Sequence, residues 1–147
     1  MSERSCYYAR RLQAVQDPLL YFSTIGDGMA QIHNLLPHLG ASGGAISTLL
    51  ETRLQGLLAH GKTFYIFRYF ENVKKGFNSA AHAWLCALDF EFRNCGKLPE
   101  TLYHQIDGGV ENASALTIAL GEFLIHRRLV RKVVFTRLPV NLIDFIL

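Results

Sequence analysis

The sequence is poor in the features that usually declare a function. It has three cysteines, Cys6, Cys86 and Cys95, and no two are spaced as a zinc pair, so neither a disulfide framework nor a zinc knuckle is indicated. Charged residues make up 18% and the net charge is only +3. That is too little by itself to signal nucleic-acid binding, although Arg127, Arg128, Arg131, Lys132 and Arg137 crowd one segment and leave a basic face open. No run approaches the roughly 18 apolar residues of a membrane span, and the first residues lack the apolar core of a signal peptide. An intracellular chain, nuclear or cytoplasmic, with no membrane partner, is expected. Gly40 to Gly44 lacks the Lys-Ser/Thr that would complete a phosphate loop, which leaves nucleotide hydrolysis unsupported. There is no Gly-x-Ser-x-Gly elbow, and no local pairing of cysteine with histidine is apparent. The six histidines show no His-x-x-x-His or similar ligand spacing.

What the sequence does have is apolar content, 50% of 147 residues, with ten Phe and six Tyr, enough for one domain with one core. The hydrophobic period predicts a helix over 3–16, stopped by Asp17-Pro18 with Ser2 as the N-cap candidate. A strand over 19–26 and a loop through Pro37 and Gly40 to Gly44 follow. Two strands, 54–60 and 62–70, are joined by a turn at Gly61. A helix over about 79–95 follows, capped by Asn78 or Ser79, with Ala81, Trp84, Leu85, Leu88, Phe92 and Cys95 inward and Gly96 at its end. Then come a strand over 101–106, a helix over 111–128 with Leu116, Leu120, Phe123 and Leu124 inward, and a strand over 132–138 ended by Pro139.

Two of these strands end alike, in Ile25-Gly26-Asp27-Gly28 and Gln105-Ile106-Asp107-Gly108. Helical crossovers make strands parallel and usually adjacent, and the right-handed rule leaves few arrangements. The simplest is an α/β fold with a mixed five-stranded sheet of order 3-2-1-4-5, which is the ribonuclease H-like architecture. It sets Asp27 beside Asp107 at the carboxyl ends of neighbouring strands. Two such carboxylates repel unless a proton or a divalent cation offsets them, and hard oxygen ligands suit Mg²⁺ or Mn²⁺. Asp-Gly is also an ordinary turn dipeptide.

Further short segments occur in a telling order: Asp27-Gly28-Met29-Ala30-Gln31, Leu36-Pro37-His38, His60-Gly61-Lys62, Asn72-Val73-Lys74, Gly96-Lys97-Leu98-Pro99, Leu102 to Asn112, and Arg137-Leu138-Pro139-Val140. Together they resemble an uncharacterised integrase-like domain of transposon-derived eukaryotic proteins, over nearly the whole chain. The resemblance implies a DDE-type site in which Asp27 and Asp107 are catalytic and bind the metal, for phosphodiester chemistry on DNA. It implies three parts: an N-terminal helix over 1–17, the domain over 18–140, and a divergent tail over 141–147. In the family an acidic segment follows the Leu-Pro-Val run, and Ala30 stands at an acidic position. A missing final helix and an incomplete ligand shell are therefore expected, with little catalysis. Glu111, at the start of a predicted helix, is a further candidate, either as a cap or as a ligand. Asp144 is a more distant one. His38 and His60 lie in family-like motifs and could line the crevice mouth, or be hydrogen-bonded structural residues. His104 is expected to pack against a covering helix. The alternative function is a non-enzymatic remnant that binds nucleic acid or protein.

Overall fold

A computed structural model of the chain describes residues 3–28, 35–36, 50–70, 77–106 and 115–137. The elements are α1 (Glu3–Gln16), β1 (Tyr21–Gly28), β2 (Leu35–Leu36), β3 (Leu50–Ala59), β4 (Thr63–Phe70), α2 (Phe77–Cys95), β5 (Thr101–Ile106), α3 (Ala115–His126) and β6 (Lys132–Arg137). The main strands lie in the order β4-β3-β1-β5-β6, with β2 added to the start of β3. β4, β3 and β1 are antiparallel neighbours, whereas β1, β5 and β6 run parallel. This is the expected ribonuclease H-like sheet. Its parallel half follows from α2 and α3, which carry the chain back between β4, β5 and β6.

Turn chemistry sets the boundaries. Gly61 closes the β3–β4 hairpin with φ of 72°, and Gly96, with φ of 73°, takes a backbone bond from its N–H to Phe92 O and ends α2. Only glycine adopts such angles without steric cost. α3 ends in the paired bonds of a Schellman motif, Leu129 N to Leu124 O and Arg128 N to Ile125 O. The left-handed position there, φ of 56°, is filled by Arg128 rather than glycine.

The sheet has two unlike faces. On one, Phe22, Leu57, Ala59 and Leu102 pack with Trp84, Ala87 and Leu88 of α2 and Leu124 of α3. On the other, α1 lays Tyr7 against Ile25 and Leu58. Several expected details are corrected. β1 runs to Gly28, so Asp27 is within the strand rather than after it, and β3 starts four residues earlier than expected. Part of the expected loop after Asp27 is the short strand β2. α2 begins at Phe77, so neither Asn78 nor Ser79 precedes it as a cap. Leu85 and Phe92 are 45% exposed and Cys95 is exposed, and on α3 Leu116 and Phe123 are about half exposed. Ala81, Trp84, Leu88 and Leu124 do face inward as expected, and small residues complete the contact: Ala80, Ala83 and Ala87 on α2, and Thr117 and Gly121 on α3. A Cβ on Gly121 would come within 2.8 Å of the Phe135 ring. That contact is too close for any side chain, so only a shift of α3 or of Phe135 would admit one.

Candidate functional site

The carboxyl ends of β1 and β5 form the region singled out by the sequence. Asp27 is the penultimate residue of β1, opposite Gly56 of β3, and it is exposed. The parallel register runs Tyr21 opposite Thr101 through Gly26 opposite Ile106, one residue short of Asp27 and Asp107. Asp107 and Glu111 lie outside the described residues, as do Ser2, His33, His38, Asp144 and the expected tail. Among the described residues no group of three or more His, Cys, Asp or Glu is arranged to hold a metal ion.

One neighbour of Asp27 offers a further oxygen. Gln105 sits opposite Ile25, and strand alternation puts it on the sheet face that also carries Asp27. It is 2% exposed, and its Oε1 has no hydrogen-bond partner among the described residues. A buried amide oxygen left unsatisfied calls for a donor or a cation. The Asp27 carboxylate and this amide are hard-oxygen groups, the class of donor that Mg²⁺ and Mn²⁺ take.

The histidines divide clearly. His104 is fully buried, stacked on Trp84 at 4.8 Å between ring centroids, with Nδ1 at 2.8 Å from Thr24 Oγ1. It packs under the covering helix as expected. Burial pushes it down to about 3. His60 does not line a crevice mouth: it is 5% exposed, with Nδ1 at 2.9 Å from Ser23 Oγ and Nε2 at 3.3 Å from the Tyr7 hydroxyl. Burial first, and then the charge of Arg11, lower it to about 4. Both rings are therefore neutral near pH 7, and their polar neighbours make them structural.

Two clusters were missed by reading the sequence. His82 and Cys86, one turn apart on α2, lie with Sγ at 3.5 Å from Nε2, and the Tyr69 hydroxyl is 3.0 Å from His82 Nδ1. Their His-x-x-x-Cys spacing was the available signal. Burial, with the nearby Cys86 adding to it, pushes the Tyr69 hydroxyl up to about 12, so it stays a neutral donor. The second cluster joins Lys62 of the hairpin to Glu91 of α2 in a largely buried ion pair. Cys95 donates to the same carboxylate at 3.4 Å, and that bond raises the thiol above its ordinary value.

Residues 43–141 match a family described as Domain of unknown function (DUF7869). No curated protein matches the sequence. Among solved structures, the chain is similar to the Marinitoga piezophila Argonaute in complex with 5′ OH guide RNA, with a TM-score of 0.46 and 10% identity over 85% of this chain and 17% of that one. It is also similar to the Mos1 strand transfer complex, at 0.44 and 10% over 92% and 39%. The Mos1 transposase paired-end complex with left transposon end gives 0.44 and 12% over 95% and 43%. The chain thus spans less than half the length of each of these proteins. No helix among the described residues is long and apolar enough to cross a membrane.

Proposed function

Starting from a chain that belongs to the DUF7869 family, we propose that it is a ribonuclease H-like domain of transposon origin. In this reading Asp27 and Asp107 share a divalent cation of the kind used in phosphodiester chemistry on DNA. The observation that carries the reading is the register: Gly26 lies opposite Ile106 on adjacent parallel strands, and each is followed in sequence by one of the two aspartates. Were that pairing to continue by one residue, the carboxylates would be neighbours. Their repulsion then favours a cation between them. Gln105 Oε1, buried and without a partner among the described residues, would accept from water held there.

Bound Mg²⁺ or Mn²⁺ would activate a water or hydroxyl and stabilise the leaving oxygen of a phosphodiester. This chain's own residues would orient it: the strand ends fix the carboxylates, and the neighbouring glycines leave room for a ligand backbone. Two matched carboxylates hold a cation loosely, and near-octahedral Mg²⁺ coordination asks for more. Residues 1–147 therefore bind metal without appreciable turnover, unless Glu111 supplies a third oxygen. Calorimetric titration with Mn²⁺ tests this: binding is expected for the native chain and lost in both Asp27→Asn and Asp107→Asn. Equal binding by all three proteins would leave only the non-enzymatic alternative, which the exposed cations beyond α3 favour.

A further inference from the structure

The segment 127–137, Arg-Arg-Leu-Val-Arg-Lys-Val-Val-Phe-Thr-Arg, holds five cations and no acidic residue. Four of them, Arg127, Arg128, Arg131 and Lys132, gather at the corner between the end of α3 and the start of β6, and all four are exposed. Among the described residues none of the four is paired with a carboxylate. Among the described residues, the Arg127 guanidinium lies 6.0 Å from the centroid of the Phe123 ring, which is itself 54% exposed. In sequence the flanking segments carry two acids, Glu122 on α3 and Glu100 just before β5, and neither forms an ion pair with the four cations among the described residues. Glu100 holds the corner by its backbone oxygen, which accepts from Arg131 N at 2.8 Å and Lys132 N at 3.0 Å.

A cation at a helix C-terminus is favoured by the helix dipole, and that could account for Arg127 alone. It does not account for Arg128. This residue fills the left-handed position of the α3 cap, φ of 56°, where glycine is strain-free and a β-carbon is not. An arginine kept at a stability cost, among three other unneutralised cations, calls for a reason outside the fold.

We propose that this corner grips the phosphodiester backbone of a nucleic acid. The corner is at the amino end of the parallel strands, since Lys132 lies opposite Thr101, whereas Asp27 follows Gly26 at the carboxyl end, level with Ile106. Five strand steps of about 3.3 Å separate the two levels, about 17 Å in all. That is about five base pairs of duplex, so one nucleic acid running past the β6 end of the sheet would span both levels. Taking nucleic acid as the partner rests on the function proposed above, but the corner does not depend on Asp27.

The test is salt-dependent fluorescence anisotropy with the full 147-residue chain and random-sequence 20-mers of duplex DNA, single-stranded DNA and RNA, beside anionic phospholipid vesicles. Four phosphate contacts predict a slope of log K against log salt of about −3 to −4 on duplex DNA, somewhat shallower on single strands. Which 20-mer binds best identifies the source of the phosphodiester. The combined variant Arg127→Gln, Arg128→Gly, Arg131→Gln, Lys132→Gln should lose nearly all of that slope. Arg128→Gly alone should lower it by about 1 while leaving the melting temperature equal or higher, so the loss cannot be blamed on unfolding. An unchanged slope in the fourfold variant, binding to vesicles but to no nucleic acid, or no binding at all would overturn the proposal. Asp27→Asn tells the two ideas apart: it should abolish Mn²⁺ binding and leave the salt slope as it was.

Discussion

The two faces of the sheet are built on opposite principles. Under α2 and α3 lies a dry layer, with Phe22, Trp84, Leu57, Leu88 and Leu102 at 2% exposure or less. Under α1 the contacts are mixed: Tyr7, His60 and Ser23 form a buried polar relay, Arg10 donates to Thr136 at 3.0 Å, and Tyr103 donates to Gln13 at 3.2 Å. α1 does not reach β4, where Phe64 and Ile66 stay 57% and 64% exposed. Apolar burial is worth more per residue than a hydrogen bond exchanged with water. The first face therefore carries the stability, and the second is where the sheet carries polar groups, Asp27 and Gln105 among them.

The contrast is broken most directly at Trp84. Trp84→Ala should cost about 3–5 kcal/mol, a large part of the stability of a domain this size, as read by chemical denaturation. A change below about 1 kcal/mol would mean the dry layer is not the keystone. Acid probes both faces together, since His104 belongs to one and His60 to the other. Their values are lowered to about 3 and about 4, so the folded protein keeps them neutral while the unfolded chain binds protons below about pH 6.5. Stability is thus full above that pH and declines as pH falls towards the folded values. Near pH 5 the two histidines contribute a slope of at most about 2.7 kcal/mol per pH unit, and the share of His60 falls by half on reaching pH 4. His60→Gln should remove about half of it, whereas an unaltered slope would assign the acid sensitivity elsewhere.

Smaller effects sharpen the picture. Gly121→Ala should destabilise by about 1–3 kcal/mol, because its new methyl meets Phe135 where α3 sits closest to the sheet. Thermal melts no lower than those of the native protein would show that α3 can lift away freely. On the α1 face, Tyr7→Phe removes only the hydroxyl beside His60 Nε2 and should cost about 1 kcal/mol. If that loss matched that of Trp84→Ala, the two faces would not differ as described.

The strand order was legible because it follows from connectivity: two helical crossovers after a hairpin leave little choice, and the glycines at 61 and 96 mark their turns by φ. The contact faces of the helices were less legible. Reading by hydrophobic size favoured Leu85, Phe92, Leu116 and Phe123, but a helix pressed closely on a sheet is seated on its smallest side chains. Trp84, Leu88 and Leu124 do face the sheet as expected, but alanine, threonine and glycine share the inner positions with them, and the other bulky residues stand on the flanks. The burial of Glu91 was invisible for another reason. A carboxylate enters a core only with its partner, and Lys62 is 29 residues away in sequence. Of the candidate site, strand alternation and the doubled Asp-Gly located Asp27 at a strand end, while the buried oxygen of Gln105 left no trace in any spacing rule.

The Lys62–Glu91 pair also bears on how this sequence can drift. Removing either partner strands the other as an uncompensated charge beside the core, at a cost of about 3–5 kcal/mol, whereas exchanging both for well-packed apolar residues is close to neutral. Each single step lies in a valley that the double step avoids. Positions 62 and 91 are thus bound to one another in inheritance, and homologous chains should carry either both charges or neither.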